Sequence, residues 1–259
     1  MKQIIKNFNK YKFLLSELVV KEIKLKYRRS YLGILWTLLE PLLTMLVLTM
    51  VFENFYGRKD NAFPIYVLTG RLLYAYFSNA TKSAMKSIRT NGQMIKKVYV
   101  PKYIYPLSSI LSQFVTFLIS LIVLVGVAIV LKIRPTIYLL EAIVPLLILF
   151  VMVLGIGLIL ATLAVFFRDM EYLWGVILML IMYCSAIFYD PTRVIKTGYG
   201  WILTCNPLYS VIVNFRNTVI YGIPLDRGAL VYSSLFSVIA LIIGIWMFYK
   251  KQDEFILNI

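Results

Sequence analysis

The sequence contains no histidine. That removes every His-based triad and the usual zinc sites. The two cysteines, Cys184 and Cys205, give no disulfide framework. No Gly-rich Walker loop occurs, so the chain cannot cradle a nucleotide by that device, and ATP-driven work would need an ATPase on another polypeptide. Acidic residues are scarce too, 12 against 27 Lys and Arg. They are scattered along the chain, which speaks against an integral-membrane lipid-handling enzyme, a class that needs carboxylates or His clustered at one membrane face. No internal repeat is visible, which disfavours inverted-repeat secondary transporters. No cleavable signal peptide is expected, because the early apolar runs are far too short and no small-residue cleavage site follows.

What the sequence has in abundance is apolar surface. Apolar residues make up 61% of its 259 positions and charged residues 15%, with a mean hydropathy of +0.81. That composition belongs to a membrane protein, and the length accommodates one polytopic domain of five to seven spans. The net charge of +15 would also fit nucleic acid, but the cations flank apolar runs, so anionic lipid headgroups are the expected partner and no nucleic acid is.

The chain is organised around Lys24–Trp36. Four cations, Lys24, Lys26, Arg28 and Arg29, fall in six residues, and an apolar run of 22 residues follows from Tyr31 to Phe52. As a helix that run measures about 33 Å, enough to cross a bilayer. The basic cluster therefore lies at a membrane surface, and the positive-inside rule makes that surface cytoplasmic. Before it, Ile4, Phe8, Tyr11, Leu15, Leu18, Val19 and Ile23 recur at helical spacing between lysines. This pattern predicts an amphipathic helix lying in the interface.

Further spans are expected at about Phe63–Ala80, Leu107–Leu131, Tyr138–Phe167, Tyr172–Tyr189 and Gly228–Tyr249. Between the second and third lies a polar segment, 81–106, with six cations and no acid. Gly155 and Gly157 in the fourth span predict close helix packing. The stretch 190–221 is interrupted by Asn214, Arg216 and Asn217, and is read as re-entrant, which requires its backbone to be buried in protein or to line water. Six spans with both termini inside place 18 of the 27 cations in the cytoplasm. The fold class predicted is thus an all-α integral membrane protein with six transmembrane helices. An N-terminal interfacial helix (1–29) precedes the membrane domain (30–259), and short re-entrant helices precede the last span.

Two charges fall inside predicted spans. Glu40, next to Pro41, either makes a packing hydrogen bond or belongs to a pathway, and Arg71 calls for a partner because snorkelling is hard near mid-span. Arg28 and Arg29 suit a phosphate, which a guanidinium fork can bind bidentately; anchoring to anionic lipid is the competing role. Trp36, Tyr74, Tyr76, Phe77, Tyr183, Phe188, Tyr189 and Tyr209 are candidates for a sugar-binding lining. An interfacial aromatic belt accounts equally for many of them.

Four ordered pieces carry a resemblance. They are Lys26–Trp36 with Pro41; Ile95–Pro101 with Pro106; Phe167-Arg168-Asp169; and Asn206-Pro207 followed by Phe215-Arg216. The chain resembles, over essentially its whole length, the membrane subunit of ABC exporters for cell-surface polysaccharides, the O-antigen, capsule and teichoic-acid permeases. Where that family often has Ser-Pro near the outer end of the fifth span, this chain has Ser185-Ala186. The resemblance implies a homodimeric channel in the bacterial cytoplasmic membrane, with two copies of an ATPase that binds the ATP. It needs no cofactor of its own. It implies that Arg28, Arg29, Ser30, Tyr31 and Gly33 lie where a polyprenyl-linked headgroup gains access. By the same likeness segment 81–106 couples to the ATPase, and residues 190–221 gate the outer mouth. The contact expected within 81–106 falls on Met94, Ile95, Lys96, Lys97 and Val98. A permease for a drug or simple lipid is the alternative the same fold allows.

Overall fold

A computed structural model describes residues 2–28, 30–56, 62–98 and 100–258, apart from the side chains of 2–10 and 53–56. Arg29, one of the expected headgroup residues, lies outside the described residues. All regular structure among them is helical: α1 (Lys2–Tyr27), α2 (Trp36–Tyr56), α3 (Phe63–Thr90), α4 (Gly92–Lys97), α5 (Ile104–Val130), α6 (Ile143–Phe166), α7 (Met170–Tyr183), α8 (Pro191–Lys196), α9 (Gly200–Thr204), α10 (Pro207–Arg216), α11 (Arg227–Lys251) and α12 (Phe255–Asn258). Four segments, Gly33–Phe52, Ile104–Val130, Ile137–Phe166 and Arg227–Asn258, are long and apolar enough to cross a membrane.

α3 is the centre of the bundle, packed by α2, α5 and α6. It corrects the expected boundary at Ala80. The helix runs unbroken through the cationic stretch to Thr90, because Thr81, Ala84, Met85 and Ile88 continue a buried face that α5 and α6 cover. The polar segment 81–106 is therefore three pieces: the end of α3, the short α4 and the start of α5.

The fifth expected span is helical only over its first part. α7 stops at Tyr183 after 14 residues, about 21 Å, which is short of a hydrocarbon core of about 30 Å. Beyond it the chain bends at Ala186, whose φ of +46° is left-handed. The bend forms without proline. Tyr66 of α3 holds it by donating its hydroxyl to the carbonyls of Ala186 and Tyr189, both at 2.9 Å.

α6 and α11 cross at glycine. A methyl on Gly155 would come within 2.5 Å of the Ala240 carbonyl carbon, and one on Gly244 within 2.5 Å of the Gly155 oxygen. Gly157 faces the other way, against Ile110 and Ala84. Because lipid tails are as apolar as leucine, such backbone approach supplies the association that hydrophobic burial supplies in water.

One end of the bundle gathers Leu15 and Leu18 of α1, Ile88, Ile95, Ile104, Tyr105, Phe248 and Phe255 into a second apolar cluster. Glu171 reinforces the same end by pairing with Lys86 and Arg89, both at 3.0 Å. The opposite end brings Thr136 against Gly222. The segments expected in the cytoplasm thus converge on one end of the molecule.

α1 is held by chemistry that its periodicity does not show. Glu22 accepts hydrogen bonds from Ser109 and Ser112 of α5, each at 2.8 Å, and from Ser108 at 3.4 Å. Hydrogen bonds to a charged acceptor contribute about 1.5–3 kcal/mol. Glu22→Ala should loosen α1 by about that much and speed thiol labelling of a Leu18→Cys reporter, which is buried when α1 is seated. An unchanged labelling rate would show that the apolar face alone holds the helix.

Candidate functional site

The turn between α1 and α2 is built by residues singled out in the sequence. Gly33 adopts φ +50°, a conformation glycine takes without penalty, and its N–H donates to Ser30 Oγ at 3.2 Å. Tyr31 projects fully from this turn, and Arg28 and Trp36 are exposed beside it.

Behind the turn lies a polar notch of about 70 Å³ between α1, α2, α3 and α5. It is the inner candidate site. Lys26, Glu40, Arg71, Tyr76, Gln113 and Thr116 are among the residues on its wall. The two intramembrane charges do meet here, although no ion pair within 4 Å joins them; Arg71 instead lies 5.9 Å from the Tyr74 ring. Burial lowers the pKa of Lys26, and Glu40 opposes the shift. The Tyr76 hydroxyl is buried without a hydrogen-bond partner. Such a group costs about 1–3 kcal/mol unless a polar guest reaches it. Glu40 is exposed on the single chain.

At the other end is a cavity of about 320 Å³ between the start of α3, the segment after α7, and α10. Asn206-Pro207 explains how α10 is placed. Asn206 Oδ1 caps the helix by accepting from the Leu208 N–H at 3.0 Å, its amide donates to Ser185 Oγ and the Cys184 carbonyl, and Pro207 opens the helix. The amide thereby ties α10 to the end of α7. Arg216, 2% exposed, closes the cavity. Its guanidinium donates to the carbonyls of Ala186 and Tyr66 at 3.0 Å and of Ile187 at 3.4 Å, and Nε donates to Thr69 Oγ1. It lies 3.4 Å above the Tyr66 ring centroid. Gly70 makes the room, since a methyl there would lie 2.6 Å from Nη2. Asn214, also buried, accepts from the Asp226 N–H at 2.7 Å, and Asp226 caps α11. Two of the three polar residues that interrupt 190–221, Asn214 and Arg216, therefore help to hold it in place.

Of the eight expected aromatics, Tyr189 and Tyr209 share this cavity. Tyr76 stands on the wall of the inner notch, whereas Tyr74 and Phe77 are buried within the chain. All three sit on the enclosed α3, where Tyr74 donates to the Leu178 carbonyl, Tyr76 stacks on Phe117 at 5.0 Å, and Phe77 packs on Trp174. Phe188 is buried against Phe52, while Trp36 and Tyr183 are exposed. Arg216 and Glu22 were not picked out as site residues, although Arg216 was visible as a charge inside an apolar stretch.

In the coupling segment the structure divides the expected contact. Ile95 is 7% exposed and packs into the chain's own cluster. Met94, Lys96, Lys97 and Val98 are exposed. Met94 lies on α4 and Val98 caps its end, and both side chains are exposed.

The chain is thus a helical bundle with membrane-length helices and a recess at each end. The chain belongs to the ABC-2 type transporter family, whose pattern it matches over residues 14–220. Among similar proteins, the O-antigen export system permease protein RfbA of Klebsiella pneumoniae is 28% identical over 244 residues, 93% of each chain. RfbA of Myxococcus xanthus is 27% identical over 98% of each chain. The polysialic acid transport protein KpsM of Escherichia coli is 25% identical over 97% of this chain and 98% of its own.

Proposed function

We propose that this chain is the permease subunit of an ATP-driven exporter that moves a cell-surface polysaccharide across the bacterial cytoplasmic membrane. The observation that carries this reading is the end-to-end similarity to O-antigen export permeases, 93% of both chains. The glycan travels on a polyprenyl-pyrophosphate lipid, or is a teichoic acid. Its phosphates meet Arg28 and the Ser30–Gly33 turn, and the inner notch supplies Lys26 and Arg71 beside them. A separate ATPase binds the ATP and docks on the end that carries α4.

Two copies form the channel. Glu40 supports this, because a carboxylate facing lipid costs about 2.5–3.5 kcal/mol at mid-bilayer. A second copy or an aqueous lumen covers that face of α2. Six crossings include α3 and the short α7, the latter completed by the chain through Asp190. Residues 190–221 form the outer gate, and both termini are cytoplasmic. The outer cavity sets tyrosines, Asp190 and two arginines among apolar walls from Phe52, Phe63, Val213 and Ile220, so the end-to-end similarity to O-antigen permeases, not this lining, favours a polysaccharide over a drug or simple lipid.

Depleting the chain in its source organism should strip the surface polysaccharide and leave lipid-linked glycan inside the cell. Undiminished surface glycan would refute the export role. Cysteine at Gly198 should label from outside and cysteine at Asn91 should not; the reverse pattern would overturn the orientation.

A further inference from the structure

We infer that the inner notch between α1, α2, α3 and α5 holds hydroxyl groups of the sugar that the lipid pyrophosphate carries. The inference rests on the export reading for the cargo and on the notch itself for the chemistry. At about 70 Å³, the notch has room for a few hydroxyl-sized groups. It takes one edge of a sugar ring, not the whole ring.

The hydrogen-bonding capacity of the wall decides what fits. Thr37, Thr44, Thr116 and Ser120 all line the notch. Each donates its hydroxyl proton to a backbone carbonyl three or four residues back, at 2.7–2.8 Å. These four oxygens have only lone pairs left to offer, and the Glu40 carboxylate beside them also only accepts. Donors stand in the same recess. Lys26 and Arg71 are on its wall, and among the described residues no hydrogen bond or ion pair engages the Arg71 guanidinium. Tyr76, 3% exposed, brings a buried hydroxyl that has no partner. An ionised phosphate only accepts, so inside the notch it would set its charge against Glu40 and against four oxygens that cannot donate. A metal ion would suit those oxygens but would meet two cations. A sugar hydroxyl donates and accepts at once, and so answers both sets. With the phosphates at Arg28 and the Ser30–Gly33 turn, the sugar attached to them is the group that reaches the notch behind.

The test measures how tightly the purified full chain in nanodiscs binds farnesyl pyrophosphate esterified with glucose, with galactose or with cyclohexanol. The three probes carry the same charge and a ring of similar size, so the comparison isolates the hydroxyls. At least one hexosyl probe should bind at least tenfold tighter than the cyclohexyl one. Tyr76→Phe and Glu40→Gln should each cut that advantage to less than about threefold without weakening the cyclohexyl probe. Tyr76→Phe keeps the ring and removes an unpartnered hydroxyl, so it should melt no lower than the parent. The inference is overturned if the hexosyl and cyclohexyl probes bind alike, if none binds, or if either variant keeps the advantage. It is overturned too if Tyr76→Phe weakens all three probes equally, which would put the phosphate in the notch. The assay involves neither ATPase nor transport. Absence of a hexose preference would refute this inference and leave the export reading intact, and normal surface glycan after depletion would not undo a measured preference.

Discussion

Gly155→Val should break the α6–α11 pair and cost the chain at least about 3 kcal/mol, the upper end of ordinary overpacking. The neighbours of the added Cβ would be the Ala240 carbonyl carbon at 2.5 Å and, closer still, the Leu241 nitrogen. Both belong to the backbone of α11. A clash with a side-chain tip can be relieved by a rotamer change, whereas this one can be relieved only by moving a helix. The restriction is reciprocal, since Gly244 of α11 meets the Gly155 oxygen. Separating the helices opens no gain elsewhere, because side chains freed into lipid lose packing and win nothing from the hydrophobic effect. Gly126→Val is the control, with nothing within 4 Å of its added Cβ. In detergent the Gly155 variant should melt roughly 6–12 °C below the parent, and the Gly126 variant close to it. Equal melting of the two would mean that α6 and α11 can part without loss.

That glycine contact was legible in the sequence, because a Gly-x-Gly inside a wholly apolar run has few other uses. The amphipathic N-terminal helix and the four long apolar helices were legible for a similar reason: periodicity and run length are local properties. The end of α7 was not. Hydropathy stays high to Tyr189, and the helix stops at Tyr183 because Tyr66 and Arg216 capture carbonyls at Ala186 and beyond. Those partners are more than 100 and 30 positions away, respectively, beyond any window. The Glu22 staple shares this non-local origin. Serines at 108, 109 and 112 were a faint signal, polar residues opening an otherwise apolar helix, but their acceptor lies 86 to 90 residues upstream. The notch was legible in part. Glu40 and Arg71 each called for company, and folding brings them to one recess, yet nothing local indicated that Lys26 and Tyr76 would complete it.

The short helix α4 shows the same limit and carries the second large effect. Six residues are too few to phase a helix from sequence, so Met94 and Ile95 stood as equal candidates for the outward position. The structure buries Ile95 against the cluster that includes Phe255 of α12 and Ile88 of α3, and exposes Met94 and Val98. Ile95→Asp should therefore damage the chain itself, by about 3 kcal/mol or more, the range of an unpaired charge forced into a core. Loss of ATPase binding in that variant would say nothing about docking. The informative variant is Met94→Asp with Val98→Asp. Both side chains face outward, so stability should stay within about 0.5 kcal/mol per site, as for surface substitutions. If α4 seats in a groove of the ATPase, two carboxylates on its apolar side should weaken that complex at least tenfold, the equivalent of about 1.4 kcal/mol, and uncouple ATP hydrolysis from export. Lys96→Glu with Lys97→Glu separates this from a topological role, since it leaves the apolar pair intact while reversing the charge that holds the segment inside. Normal coupling in the Met94/Val98 variant, with misinsertion in the Lys96/Lys97 variant, would make α4 a topology signal and move the ATPase contact elsewhere.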